Sequence, residues 1–199
     1  MALKNVFLTL TLKNNQDSAI IISMNNKFEE KTLDSEAVYK GRVFSVKKDN
    51  VVLSDGYKTT REVAMHNGGV VIVAQQDGKI ILVRQYRYAV QEMLLELPAG
   101  RLEQGEDTFD CAKRELAEET GYRAGQWKSL GFIITSPGFS NEKLYLYHAS
   151  DLEFVKQNPD EGEIIECEWF PTAEVDKMIK NGQINDAKTI CALMRAFKL

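Results

Sequence analysis

Apolar and polar residues alternate through much of the first half of the chain. "AVYKGRVFSVKKDNVVLSDGYKTTREVAMH", residues 37–66, keeps a period near two on both sides of Asp55-Gly56. That is the period of a half-buried strand, and Asp-Gly is a hairpin turn pair, so the stretch predicts an antiparallel hairpin. "GGVVIVAQQDGKIILVRQYRYAV" predicts a second hairpin, two Val/Ile-rich strands around Gln75-Gln76-Asp77-Gly78. "MLLELPAG" predicts a short strand stopped by Pro98 and Gly100. "WKSLGFIITSPG", "EKLYLYHASDL" and "EIIECEWFP" predict further strands. Helical spacing replaces alternation after Gly100, and again in "TAEVDKMIKNG" and "DAKTICALMRAFKL". Asn181-Gly182 closes the first of these last two as a C-cap would.

Strands, one central helix and two helices near the C-terminus make an α+β pattern with a mixed sheet, not repeated βαβ units. "HNGG" at residues 66–69 marks the most plausible internal boundary. The strands before it are too few to hold a core alone, so they must pack on the main domain or on another subunit. Ahead of them, the alternation in "VFLTLTL" predicts a strand. That apolar run is short, is broken by Lys13-Asn14-Asn15 and lacks an A-x-A site, so a secretory signal is not expected. Met24 is a second candidate start, and the sequence does not choose between the two.

Composition narrows the picture only where it departs from the ordinary. A chain of 199 residues, 44% hydrophobic and 27% charged, can bury a sizeable core without disulfides. A net charge of −4 gives no electrostatic footprint for nucleic acid. No apolar run approaches the roughly 18 residues of a transmembrane helix. The three cysteines, Cys111, Cys167 and Cys191, are scattered and odd in number. They read as buried small hydrophobes in a reducing compartment, and the expected location is cytoplasmic.

One stretch resists a purely structural account. In "GRLEQGEDTFDCAKRELAEETGY", Glu115, Glu118 and Glu119 crowd into five helical residues. On a helical wheel they share about 100° of arc, beside a stripe of Phe109, Ala112 and Leu116 that meets the core. Like charges at these spacings each cost on the order of 0.2–0.5 kcal/mol, and acids near a helix C-terminus oppose its dipole. A hard divalent cation, Mg²⁺ or Mn²⁺, would reverse these terms. A solvated acidic face is the plainer account of "RELAEE" alone.

The full stretch tips the balance. Gly100, five residues, Glu106, seven residues, then Arg114-Glu115-Leu116-Ala117-Glu118-Glu119-Thr120-Gly121-Tyr122 resembles the Nudix box, G-x5-E-x7-R-E-U-x-E-E-x-G-U with U apolar. All seven fixed identities stand at the right spacing; Tyr122 at the last apolar place is a mild departure. The resemblance implies a Nudix α/β/α sandwich with a mixed sheet. It also implies a loop–helix–loop that binds magnesium, with Mn²⁺ as the other choice, and hydrolyses a nucleoside diphosphate linked to another moiety. Carried over, Glu115 and Glu119 would be the main metal ligands, with Glu118 beside them and the carbonyl of Ala99 as another. Arg114 would orient the acids, Glu106 would fix the loop through Arg114, and Gly100 would allow a tight turn after the strand.

"SPGFSNE" puts Pro137 sixteen residues beyond Gly121, which resembles the ADP-ribose pyrophosphatase subfamily. "TREVAMHNGGVVIV", "LVRQYRYAVQEMLLELPAGRLEQGE" and "DAKTICAL" resemble it too, so the likeness covers roughly residues 27–199. It implies hydrolysis of ADP-ribose to AMP and ribose 5-phosphate. The base would lie in the acidic loop "NPDEGEIIE", with Glu161 as first choice and Glu163 as a further metal ligand, or the reverse. Arg87 best matches a substrate-binding arginine; Arg61, Arg84, Pro137 and Glu142 are further substrate candidates. Phe44, Tyr57 or Tyr86 are candidates to stack on adenine, with no choice among them, and neither His66 nor His148 is given a catalytic role. The division expected is an extension over 1–26, a β dimerisation segment over 27–66 and the hydrolase domain over 67–199. A homodimer is expected, with neither nucleic acid nor membrane as partner. Rival readings are a hydrolase of another nucleoside diphosphate sugar, such as GDP-mannose, and a module that binds ADP-ribose without cleaving it.

Overall fold

The computed structural model describes residues 27–159 and 162–197. The strand expected in "VFLTLTL" and Glu161 lie outside the described residues. Among them, no helix is long and apolar enough to cross a membrane.

β1 (Lys31–Lys40), β2 (Ser45–Val52) and β3 (Lys58–Met65) form a three-stranded antiparallel sheet. Expectation placed strand only from residue 37, whereas β1 begins at Lys31. The period-two signal fails there because the β1–β2 register shifts between Thr32 and Asp34 and again between Ala37 and Tyr39. Each shift moves the following side chains to the other face. β1 is exposed along its whole length, with Leu33, Val38 and Tyr39 all open.

The second sheet holds β4 (Gly69–Gln76), β5 (Lys79–Arg87), β6 (Glu92–Glu96), β7 (Ala99–Arg101), β8 (Tyr122–Ile134), β9 (Lys143–Phe154) and β10 (Ile165–Pro171). It is mixed: β4 pairs parallel with β9, and the other pairs are antiparallel. β4 and β5 meet in a two-residue turn, Asp77-Gly78, with φ of 49° and 73°. Both values are left-handed, as a type I′ turn demands.

β4 is buried on both faces, and its alternate residues feed two cores. Val71 and Val73 pack with Val175 and Met178 of α2 (Thr172–Lys180) and Ala192 and Leu193 of α3 (Ala187–Phe197). Val70, Ile72 and Ala74 pack with Cys111, Ala112 and Leu116 of α1 (Thr108–Thr120). The sheet therefore lies between α1 on one face and α2 with α3 on the other, an α/β/α sandwich. The three-stranded sheet joins it where the loop after β8 hydrogen-bonds to β3. Ala64 N–H donates to the Phe139 carbonyl (2.7 Å), and Asn141 Oδ1 accepts from His66 N–H (2.8 Å).

Candidate active site

The site is built on α1, and the ends of that helix fix its phase. Asp107 Oδ1 accepts from Phe109 N–H (2.8 Å) and Asp110 N–H (3.2 Å) as the N-cap. Gly121, at φ 75°, turns the chain left-handed at the other end and donates to the Ala117 carbonyl (2.9 Å). Cys111, Ala112, Leu116, Glu119 and Thr120 form the buried stripe. Phe109, expected in that stripe, is instead partly exposed and packs edge-on against Trp127, 5.4 Å between ring centroids.

The buried stripe thus includes a carboxylate. Glu119 is only 4% exposed, and burial pushes its carboxyl up to about 8, against the Ala99 N–H it accepts (2.9 Å) and the charge of Arg87. Glu115 is pushed up to about 7, first by burial and then by Glu118 and Glu163, with Arg114 opposing. Both acids disfavour their own charge here.

Arg114 ties the group together. Nε and Nη2 donate to the two oxygens of Glu106 (2.9 and 3.1 Å), and Nη1 donates to Glu115 (2.8 Å) and Glu118 (2.9 Å). The guanidinium holds the Glu106 carboxyl down at about 2. Gly100 has a different cause from the tight turn expected. It lies in β7 without a positive φ, but a Cβ there would fall 1.8 Å from Glu115 Cδ. The glycine makes room for that carboxylate.

Glu115, Glu119, Arg114 and Gly100 open on a cleft of about 560 Å³. Glu103, Glu115, Glu119 and Glu163 share it with four arginines, Arg42, Arg87, Arg101 and Arg114. The donors are oxygens only, which suits a hard divalent cation, and such a cation would offset the burial that raises Glu115 and Glu119. Among the described residues no three acidic, histidine or cysteine side chains converge into one coordination sphere. Arg114 Nη1 sits between Glu115 and Glu118, and Ala99 N–H engages Glu119.

The other residues singled out in the sequence are dispersed. Arg87 reaches the cleft; Arg84, three residues earlier on β5, lies on the opposite face and is exposed. Glu142 accepts from Thr135 Oγ1 (2.7 Å) and stands 3.3 Å from His66 Nδ1. Both line a second cavity, of about 370 Å³, which also meets Arg87, Ala99 and Gly100. Arg61 pairs with Glu30 (2.6 Å) in a third cavity, beside Pro137.

Sequence reasoning passed over Arg42, which the β1–β2 turn carries into the cleft by tertiary folding alone. It also passed over Glu96, buried at 1% and bonded to Arg87 and Lys188. A charged residue inside the apolar run "LLELP" was the available signal.

Comparison with known proteins agrees with this architecture. Residues 65–193 match the NUDIX domain, and residues 30–64 match the nucleoside diphosphate sugar hydrolase N-terminal domain. The chain is 40% identical to a methanol dehydrogenase activator of Bacillus methanolicus, over 85% of this chain and 94% of that one. It is 36% identical to an ADP-ribose pyrophosphatase of Bacillus subtilis, over 83% and 91%. It is 37% identical to one from Mycobacterium tuberculosis, over 82% and 81%. A crystal structure of an ADP compounds hydrolase superposes with a TM-score of 0.79 at 26% identity, over 87% of this chain and 95% of that one. Fold, box and relatives agree: the chain belongs to the NUDIX family and is a hydrolase of that family.

Proposed function

We propose that this hydrolase cleaves the pyrophosphate of ADP-ribose, giving AMP and ribose 5-phosphate, with Mg²⁺ or, in its place, Mn²⁺. The observation that carries the proposal is one cleft lined by four glutamates and four arginines, the charge pattern a metal diphosphate requires. Two relatives named ADP-ribose pyrophosphatase support the choice of substrate.

Glu115, Glu118, Glu119, Glu163 and the Ala99 carbonyl would hold the metal. When bound, it neutralises the diphosphate and acidifies water. Arg114 keeps Glu115 and Glu118 aimed. Arg87, with its side chain already in the cleft, takes a phosphate oxygen; we assign this role to it rather than to Arg84, which faces away. Glu142, and across the edge of the small sheet Arg61 and Pro137, are assigned to the end of the substrate remote from the reacting phosphorus. Glu161 or Glu163 accepts the proton of the attacking water, a separate base being needed once the helix glutamates are committed. Water's oxygen joins phosphorus as the bridging P–O bond breaks.

We also propose a homodimer. β1 exposes Leu33, Val38 and Tyr39, and a second copy of the same sheet would cover them. The free cysteines fit a cytoplasmic location.

A substrate panel with Mg²⁺ tests the reading: ADP-ribose, GDP-mannose, ADP-glucose and NADH, with the nucleoside monophosphate read by chromatography. Preference for GDP-mannose would keep the chemistry and replace the substrate; a GDP-mannose pyrophosphatase of Pectobacterium atrosepticum is 33% identical. Binding of ADP-ribose with no turnover would make the protein a non-catalytic module. The relative named as a methanol dehydrogenase activator carries a second reading, action on a dehydrogenase. It predicts a faster NAD-dependent alcohol dehydrogenase on addition of this protein.

A further inference from the structure

Glu96 is the most enclosed carboxylate among the described residues, at 1% exposure, and it lies outside the box. An unpaired charge there would be strongly destabilising, so its partners carry the meaning. Arg87 Nε donates to both of its oxygens (3.1 Å each), and Nη2 donates to Oε2. Lys188 Nζ of α3 stands 2.9 Å from Oε2 and 2.9 Å from Asp186.

Two features separate this pairing from ordinary sheet support. Arg87 stands directly opposite Glu92 in the β5–β6 ladder, and Glu92 is exposed. It bypasses that neighbour and reaches inward to Glu96, whose own ladder partner is Val83. The grip is also one-sided. Glu96 occupies Nε and Nη2, and Nη1 has no partner among the described residues. A guanidinium held along one edge presents the other edge in a fixed direction. Arg87 lines both cavities that adjoin β7, next to Ala99 and Gly100.

The carboxylate is itself anchored. Leu97 N–H, the next residue along, donates to Thr189 Oγ1 (2.9 Å), and Asp186 Oδ2 accepts from Thr189 N–H (3.0 Å). The first turn of α3 therefore fixes residues 96–97 and adds a second cation to Glu96.

We propose that Glu96 is a positioning residue for substrate binding: it locks Arg87 by one edge so that the free Nη1 edge meets the diphosphate. This rests on the reading of the cleft as a nucleoside diphosphate site. Glu96 touches no substrate and acts only through Arg87.

A double-mutant cycle tests it, using wild type, Glu96→Gln, Arg87→Ala and the double variant. ADP affinity is measured by calorimetry with Mg²⁺, and kcat and KM are measured for ADP-ribose. Glu96→Gln is expected to weaken ADP binding about tenfold and raise KM in step, with kcat little changed; in the Arg87→Ala background it should add nothing. A Glu96→Gln variant that only loses thermal stability would overturn the proposal. So would a penalty equally large without Arg87, or a wild type that does not bind ADP. If Glu96→Gln does not fold, Glu96→Asp, which keeps the charge but withdraws it by one methylene, enters the same cycle with the same criteria. Absence of wild-type turnover on the substrate panel would count against the proposed reaction, while the ADP cycle would still decide the role of Glu96.

Discussion

Gly100→Ala adds one methyl group at a position whose backbone any residue can adopt. Its whole effect is therefore steric, and it falls on one carboxylate. The new Cβ would lie 1.8 Å from Glu115 Cδ and 2.0 and 2.2 Å from its oxygens. Ordinary contact begins near 3.4 Å, so the carboxyl group must withdraw by about 1.6 Å. Withdrawal strains or breaks its 2.8 Å bond to Arg114 and moves it out of line with Glu119. Overpacking of this kind costs about 1–3 kcal/mol of stability. A displacement above 1 Å in a group that aligns the reaction costs on the order of 100-fold in rate. Gly138→Ala is the matched control: the same chemical change, no positive φ, and nothing within 4 Å of the added atom. The assay is kcat and KM for ADP-ribose over a Mg²⁺ titration, with thermal melts of both variants. The expected result is a loss of about 100-fold in kcat in Gly100→Ala and an unchanged kcat in Gly138→Ala, which adjoins Pro137, remote from the reacting phosphorus. Activity within threefold of wild type in Gly100→Ala, with unchanged Mg²⁺ dependence, would refute the placement of Glu115.

Glu119→Gln should abolish turnover and leave the fold intact, read by activity and circular dichroism; unchanged turnover would sink the metal assignment. Burial raises Glu115 to about 7 and Glu119 to about 8, above their unfolded values, so the stability they contribute is full below about 4.5 and is lost as pH rises through 7–8. The metal-free protein should then melt at lower temperature at pH 9 than at pH 6, and Mg²⁺ should protect it more as pH rises. A Mg²⁺ shift in melting temperature that is flat from pH 6 to 9 would contradict this. Glu106→Gln leaves Arg114 with a neutral partner in place of a carboxylate held at about 2, and should lower kcat more than it raises KM; an unchanged kcat would show that Arg114 needs no second anchor. Arg87→Ala should raise KM about tenfold or more while Arg84→Ala changes it less than twofold, since only the former side chain enters the cleft; equal effects would overturn that distinction.

What the sequence disclosed and what it hid follow a physical line. The strands of the main sheet were legible because β4 and β5 carry unbroken Val/Ile runs and meet in a left-handed turn that Asp-Gly suits. The glutamate helix was legible because its residues are local in sequence and their crowding has no structural benefit. The start of β1 was hidden by two register shifts, which erase a period-two signal. Arg42, Glu96 and Lys188 were hidden because their partners lie on other elements, and no local spacing encodes a contact across the fold. Gly100 was visible but misread: its neighbour Glu115 is 15 positions along the chain, so the cause lay in packing and not in the turn.

The parallel pairing of β4 with β9 joins residues 69–74 to 144–149. Parallel strands cannot close through a tight turn, and the intervening chain must lose its freedom before the pairing returns any energy. That intervening chain contains β5, β6, β7, α1 and β8, hence every box residue. The glutamate helix is thus suspended inside a long loop, between strands 75 positions apart, and the pairing that closes it is expected late in folding. In pulse-labelled hydrogen exchange, the amides of β4 and β9 should gain protection in the same late step that switches on hydrolysis. A newly made chain would therefore be inert towards nucleotides until it is whole.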